Sequence, residues 1–129
     1  MRKLLAVVAL SLTACSVIPS TFDNVGYNNL VALKYQAHLT QDACSSSDTI
    51  HHEVANLNAR MKHVLIYVNN ANEDTALTNS INTLDKVMTE FSSKYDGGKN
   101  PGSIYCTLKM QIINYNIDVM VSTVGSRQK

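Results

Sequence analysis

The sequence predicts an all-α fold in which four helices pack as an antiparallel bundle. Along three segments, apolar residues recur at alternating steps of four and three, which places them in one stripe on each predicted helix. Short polar breaks, or breaks containing Gly and Pro, separate the segments, as expected where successive helices run in opposite directions. The same spacing is compatible with an intermolecular coiled coil, but the short breaks favour a bundle folded on itself.

The apolar stripes define the four helices in chain order. The first helix, within residues 24–39, has the weakest stripe: Gly26, Leu30, Leu33 and Ala37. The stripe of the second helix is Ile50, Val54, Leu57, Met61, Val64 and Val68. The stripe of the third is Leu77, Ile81, Leu84, Met88, Phe91 and Tyr95. The stripe of the fourth is Cys106, Met110, Ile113, Ile117, Met120 and Val124.

Capping residues agree with these helix starts. Ser47 or Asp48 is the expected N-cap of the second helix, Asp74 or Thr75 that of the third, and Ser103 that of the fourth.

The first fourteen residues have the three parts of a secretory signal peptide. Arg2 and Lys3 form a positive start, residues 4–12 are mostly apolar, and small residues follow. The apolar run is too short for a transmembrane helix, which needs about 20 residues.

The end of this segment, Leu12-Thr13-Ala14-Cys15, resembles the lipobox of bacterial lipoproteins. That resemblance implies cleavage before Cys15 and attachment of lipid to the cysteine, and two or more acyl chains anchor a protein stably to a membrane. Ser16 replaces the Asp that tends to retain enteric lipoproteins at the inner membrane, which implies a lipid-anchored protein at the outer membrane, facing the periplasm.

The lipobox also implies an organisation and a charge for the mature chain. The expected segments are a signal peptide (1–14), a lipidated Cys15 with a short tether (15–22), a helical bundle domain (23–124) and a C-terminal tail (125–129). Removal of residues 1–14 takes away two basic residues and no acid, so the formal charge changes from +1 to +1 − 2 = −1. Nothing in this balance predicts binding to nucleic acid.

Lipidation of Cys15 would leave two of the three cysteines, Cys44 and Cys106, in the oxidising periplasm. Cys44 falls in the loop between the first two helices and Cys106 in the first turn of the fourth, which lie at the same end of an up-down-up-down bundle. We therefore expect one Cys44–Cys106 disulfide, the alternative being two buried thiols.

No residue pattern predicts catalysis, a metal site or a cofactor. The four histidines are His38, His51, His52 and His63. His51 and His52 are adjacent and point about 100° apart on a helix, so they are interpreted as surface residues rather than zinc ligands. Neither a nucleophile elbow nor a Gly-rich phosphate loop is present in the sequence, and we expect a protein that is not an enzyme.

A second apolar stripe on the fourth helix is the candidate binding surface. It comprises Tyr105, Leu108, Ile112, Tyr115 and Val119, roughly 140° around the helix from the first stripe. Either the fourth helix is central and buries both stripes, or this stripe and the first helix border a groove for an amphipathic partner helix. In the second case the predicted partner-binding residues are Val31, Tyr35, Leu108, Ile112, Tyr115 and Val119.

A short lipoprotein of the outer-membrane type, with four helices and one disulfide, is similar to the pilotins of type II secretion systems. The resemblance implies binding of the C-terminal segment of a secretin subunit, which becomes helical in a groove and is directed to the outer membrane. The alternatives are a phage- or plasmid-type exclusion or immunity lipoprotein and a periplasmic enzyme inhibitor. An inhibitor would present a loop, for which Lys99-Asn100 within residues 96–102 is the candidate.

We expect Cys15→Ser to prevent lipidation and leave the precursor uncut, because the thiol that receives the lipid is removed. Metabolic labelling with a fatty acid measures this, with Cys44→Ser as a control that retains the label. Continued labelling of the Cys15→Ser protein would contradict the lipobox interpretation.

Overall fold

Four apolar stripes form the buried faces of four α-helices in the computed structural model, which describes residues 23–71 and 75–128. The helices are α1 (Asn24–Asp42), α2 (Ile50–Ala71), α3 (Thr75–Ser93) and α4 (Ser103–Gly125). Three 3₁₀ turns accompany them: Ala43–Ser45, Asp96–Gly98 and Ser126–Gln128. The described residues contain no strand, and the all-α prediction is confirmed.

Some sequence predictions fall outside the described residues. The signal peptide, the lipobox with Cys15, and the tether through residue 22 are among them, as is the predicted cap Asp74. At the other end, helical structure continues through Gly125 into the Ser126–Gln128 turn, within the segment expected as a tail.

Polar contacts between α1 and α2 show that these helices run antiparallel. Glu53, near the start of α2, accepts a 2.6 Å hydrogen bond from Gln36 Nε2 in the second half of α1. The Glu53 carbonyl also lies 3.2 Å from the buried hydroxyl of Thr40. At the opposite end of the pair, the Tyr67 hydroxyl donates to Asp23, the residue before α1.

The remaining helices continue the up-and-down order. Between α2 and α3, Lys62 Nζ donates to Asp85 at 2.7 Å. Between α1 and α4, Lys34 and Asp118 form an ion pair at 3.5 Å. The chain order is also the order around the bundle, because α1 packs on α2 and α4, and α3 packs on α2 and less extensively on α4. The predicted antiparallel four-helix bundle is therefore confirmed.

The core consists mainly of the predicted stripe residues. All six stripe residues of α2 are buried, together with most of those on the other helices. Leu77 and Met120 are only partly buried, while Val121 joins the core next to Met120. Val121 is buried where the pattern predicted Met120, and the reason is helix geometry. An alternating four-three spacing averages 3.5 residues per turn, so it drifts slowly around a helix that has 3.6 residues per turn.

The helix starts differ in detail from the predicted caps. Asp23 caps α1, its Oδ1 accepting a hydrogen bond from the Val25 amide at 3.1 Å. At α4 the cap position belongs to Gly102 rather than Ser103, which is the first helical residue. Gly102 has a φ of 102°, a conformation that glycine adopts without steric cost, so the chain can turn directly into the helix.

The predicted caps of α2 also need adjustment, and of the two predicted for α3 only Thr75 lies among the described residues. Because α2 begins at Ile50, Ser47 and Asp48 lie in the turn that precedes it rather than at its cap. Thr75 is the first helical residue of α3 rather than its cap.

A disulfide joins Cys44, in the turn after α1, to Cys106, in the first turn of α4. The Cα atoms are 5.5 Å apart and both residues are buried, so the predicted pairing is confirmed. The bond links segments 62 residues apart in sequence and fixes α1 and α4 against each other at this end of the bundle.

Aromatic side chains fill the space beside the disulfide. Phe91 lies 6.2 Å from Tyr105 in a stacked arrangement and 5.3 Å from Tyr95. His51 contacts the Tyr95 ring edge-on and donates from Nε2 to the Lys99 carbonyl at 2.8 Å, which ties the loop before α4 to α2. Burial and, secondarily, the neighbouring Tyr105 raise the pKa of Tyr95, so its hydroxyl stays protonated.

We expect Cys44→Ala and Cys106→Ala each to lower the free energy of unfolding by about 4 kcal/mol, because either change releases a loop of this length in the unfolded chain. Thermal unfolding followed by circular dichroism measures the loss, with the exposed neighbour Ser45→Ala as the control. A reductant should lower the melting temperature of the wild type and leave both variants unchanged. Unaltered melting in Cys106→Ala would show that the bond does not hold the bundle.

Candidate protein-binding surface

The six predicted partner-binding residues are all exposed on two neighbouring helices. Val31 and Tyr35 lie on α1, and the other four lie on the outward face of α4: Leu108, Ile112, Tyr115 and Val119. The interpretation in which the fourth helix buries both of its stripes is therefore wrong. The clearest contrast is between adjacent residues: Ile113 has no exposed surface, whereas Ile112 is 54% exposed.

The outward face of α4 continues one turn further than the sequence pattern predicted. Ile104 is 77% exposed and lies four residues before Leu108, on the same side of the helix. Tyr105, which the sequence pattern placed in this stripe, turns inward and stacks on Phe91. The sequence could have indicated that Ile104 belongs to this stripe, because Ile104 lies four residues before Leu108.

We call the exposed stripe the α4 ridge, defined by Ile104, Leu108, Ile112, Tyr115 and Val119. Its fifteen residue steps correspond to about 22 Å along the helix axis. The α4 helix carries only two charged residues, Lys109 and Asp118. Lys109 Nζ lies 5.8 Å from the centre of the Tyr105 ring, and Asp118 is paired with α1. The ridge is thus a long, uncharged, apolar surface.

A polar seam separates the α4 ridge from Val31 and Tyr35 on α1. Asp118 lies 3.5 Å from Lys34 Nζ and 3.6 Å from His38 Nε2, and all three side chains are partly exposed. The boundary between α1 and α4 is therefore lined by charged groups at its surface.

Amide groups close the same boundary beneath the surface. Asn114 Nδ2 donates to Gln41 Oε1 at 2.6 Å and lies 3.3 Å from the Ala37 carbonyl. The two apolar stripes consequently flank a filled polar junction, not the apolar groove expected between the first and fourth helices.

The other flank of the ridge opens into a groove between α3 and α4. Its volume is about 360 Å³, and the described residues that line it carry no charge: Asn79, Ser80, Thr83, Leu84, Val87, Asn116, Val119 and Met120. Val119 belongs to both the ridge and the groove, so the two surfaces are continuous. The groove exists because α3 and α4 pack against each other less extensively than the other neighbouring pairs.

The histidines do not converge on a site. His51 is bonded to the Lys99 carbonyl, His52 lies 3.1 Å from the Asn56 side chain, and His38 faces Asp118. Across residues 23–71 and 75–128, no three His, Cys, Asp or Glu side chains are grouped in a way that would hold a metal ion.

No helix in the described part of the chain has the length and apolar character needed to cross a bilayer. Comparisons with protein-family models, curated proteins and solved structures found no match to this chain. The apolar ridge of α4, with its two different flanks, is therefore the feature from which a function is inferred.

The adjacent isoleucines of α4 provide a test of the two faces. We expect Ile113→Asp to unfold the domain, because a buried unpaired carboxylate costs several kcal/mol. Ile112→Asp should change the free energy of unfolding by only about 0.5 kcal/mol, as is usual for surface positions. Circular dichroism melting measures both. Equal destabilisation by the two variants would mean that the ridge is buried in solution.

Proposed function

We propose that this protein is an outer-membrane lipoprotein that acts as a pilotin: it binds the C-terminal segment of a type II secretion secretin subunit and directs that subunit to the outer membrane. The observation that carries the proposal is the exposure of the α4 ridge. Five apolar side chains of one uncharged stripe point away from the core, and about half or more of each is exposed to solvent.

The ridge has the chemistry of a helix-binding surface. Contiguous apolar surface on a small soluble domain marks an interaction site more often than scattered single residues do. An amphipathic helix would place its own apolar positions, at steps of three and four, against successive turns of the ridge. Tyr115 suits the edge of such a contact because its ring provides apolar area while its hydroxyl stays hydrated.

The lipid anchor supplies the second half of the proposed activity. A pilotin both binds its cargo and carries it to a membrane, and the lipobox ending at Cys15 would provide the attachment. The ridge faces outward along the side of α4, so a partner lying on it would not need to open the core.

The alternative functions, an enzyme inhibitor and an exclusion or immunity lipoprotein, would use other surfaces or other partners. An enzyme inhibitor would act through the loop at residues 96–102, where the Lys99 side chain is exposed and its backbone is held by His51. An exclusion or immunity lipoprotein would bind an envelope receptor instead of a secretin. Variants of the ridge and of Lys99 therefore distinguish the pilotin from the inhibitor.

We expect the full protein, purified in detergent, to bind a synthetic peptide with the C-terminal sequence of the secretin from the same bacterium. Ile112→Asp should abolish this binding while leaving the fold intact, because a charge would be placed where an apolar face must dock. Peptide titration by fluorescence anisotropy measures the affinity.

Two control variants define the surface. Ile66→Asp adds the same charge at an exposed isoleucine on α2, which packs on α1 and α3, and should not weaken binding. Lys99→Ala should also have no effect. If the wild type bound no secretin peptide, the proposed function would be wrong. Unchanged binding by Ile112→Asp would instead place the site away from the ridge.

A further inference from the structure

The outward face of α4 differs from those of α2 and α3. The α4 ridge exposes large apolar side chains over about 22 Å, whereas α2 exposes a single one, Ile66, and the described residues of α3 expose none. A helix with apolar residues on opposite sides is typically covered on both. In the part of the chain that the structure describes, the bundle covers only the inner side of α4.

Part of the α4 ridge has the spacing of a coiled-coil seam. Steps of four, three and four separate its last four residues: Leu108, Ile112, Tyr115 and Val119. These steps place the residues at alternating d and a positions of a heptad, the repeat along which two helices pack. The a positions hold the β-branched Ile112 and Val119, and Leu108 holds a d position. That combination favours the pairing of two parallel helices over larger assemblies.

The residues beside this seam are compatible with parallel pairing. In a parallel coiled coil, a g residue of one helix faces the following e residue of the other. The facing pairs predicted for α4 bring no like charges together: Ile104 with Lys109, Gln111 with Asn116, and Asp118 with Thr123. An apolar side chain meets a lysine stem, an amide meets an amide, and a carboxylate meets a hydroxyl, so no flanking group opposes the contact.

We propose that the α4 ridge pairs two copies of this protein, whose α4 helices pack in parallel about a two-fold axis. In this arrangement each seam residue meets the same residue of the second copy, so Ile112 packs on Ile112 and Tyr115 on Tyr115. The charged boundary with α1, where Asp118 contacts Lys34, lies beside the seam. The pair therefore buries apolar surface without burying a charge.

The area of the ridge indicates a weak pair. A fully exposed aliphatic side chain presents about 100 Å² and a tyrosine about 200 Å², so the exposed parts of the ridge amount to about 400 Å² per copy. Two copies would bury about 800 Å² at the ridge, and the flanking residues bring the total towards the 1,200 Å² or so at the lower limit of specific interfaces. The two copies should accordingly exchange rather than form a permanent dimer.

Parallel pairing places Asp23, the cap of α1, at the same end of both copies. Both copies could therefore be attached to one membrane, a consequence that rests on the proposed anchor at Cys15, whereas the pairing does not. The pair would also cover Ile112, so a second copy and a secretin segment would compete for one surface. That competition rests on the proposed function.

Sedimentation equilibrium of the full protein in density-matched detergent tests for the pair. At protein concentrations up to about 1 mM, we expect the wild type to change from one copy to two. Ile112→Asp should raise the dissociation constant by about tenfold or more, because two carboxylates would meet at the seam. Ile66→Asp adds the same charge to the outward face of α2 and should leave the constant unchanged.

Cross-linking through introduced cysteines tests which residues meet. Tyr115 and Tyr35 are exposed to a similar degree, 70% and 67%, but only Tyr115 lies in the seam. On mild oxidation, Tyr115→Cys should form a covalent dimer severalfold faster than Tyr35→Cys. The disulfide between Cys44 and Cys106 is already formed, so these two residues do not contribute to the product.

A mixture of two variants distinguishes parallel from antiparallel pairing. Positions 108 and 115 are about 10 Å apart along the axis of a parallel pair, whereas a disulfide needs Cα atoms within about 7 Å. Leu108→Cys mixed with a tagged Tyr115→Cys protein should therefore give the dimer of each variant and little of the mixed dimer.

A wild type that stays monomeric over this concentration range would overturn the proposal. A mixed dimer as the main product would overturn it as well, because it would show antiparallel contact. Equal cross-linking of Tyr115→Cys and Tyr35→Cys would do the same, since sharing a micelle would then account for the contact. None of these results requires a secretin, so failure of the pairing and failure of the proposed function are observed separately.

Discussion

The burial of one face of α4 is the constraint on which the rest of the structure depends. Met110, Ile113 and Ile117 have no exposed surface, so the rotation of α4 about its axis is fixed by the core. Because side chains on a helix keep their angular positions, fixing the inner face also fixes what the helix presents to solvent. The exposed ridge of α4 is thus a direct consequence of core packing, and the disulfide at Cys106 holds the start of the same helix in place.

Polar contacts determine how the neighbours of α4 meet it. Asn114 and Asp118 fill the boundary with α1 through the Gln41 amide and the Lys34 ammonium group. Hydrogen bonds and ion pairs require particular side chains to lie opposite each other, so these contacts favour one register of α1 against α4. Apolar packing constrains that register less. Among residues 23–71 and 75–128, no comparable contacts close the space between α3 and α4, and a groove with an uncharged lining remains there. The two flanks of the ridge therefore differ in chemistry although both border the same helix.

The two ends of the bundle also differ. One end is closed by a covalent bond and a group of aromatic rings around the buried Tyr95. At the other end Tyr67 donates a hydrogen bond to Asp23, which lowers the pKa of that carboxyl and keeps it ionised as the cap of α1. The stability of this contact is present above the usual pKa of aspartate and is lost as the pH falls through the lowered value. The proposed anchor and the proposed binding surface fit this arrangement, because the chain enters at the Asp23 end while the ridge runs along the side.

The sequence by itself determined the fold class, the approximate bounds of the four helices and most of the core, and it placed Cys44 and Cys106 at one end of the bundle, where the structure joins them. These features follow from periodicity and from the order of segments along the chain, which are local or topological properties. It also identified the six candidate binding residues by type and spacing. Only the tertiary structure decided that these residues are exposed, that Tyr105 packs half-buried against the core while Ile104 lies on the surface, and that the α1–α4 boundary is polar while the α3–α4 boundary is open. An apolar stripe has the same pattern whether another helix covers it or not, so its exposure depends on which elements pack around it in space.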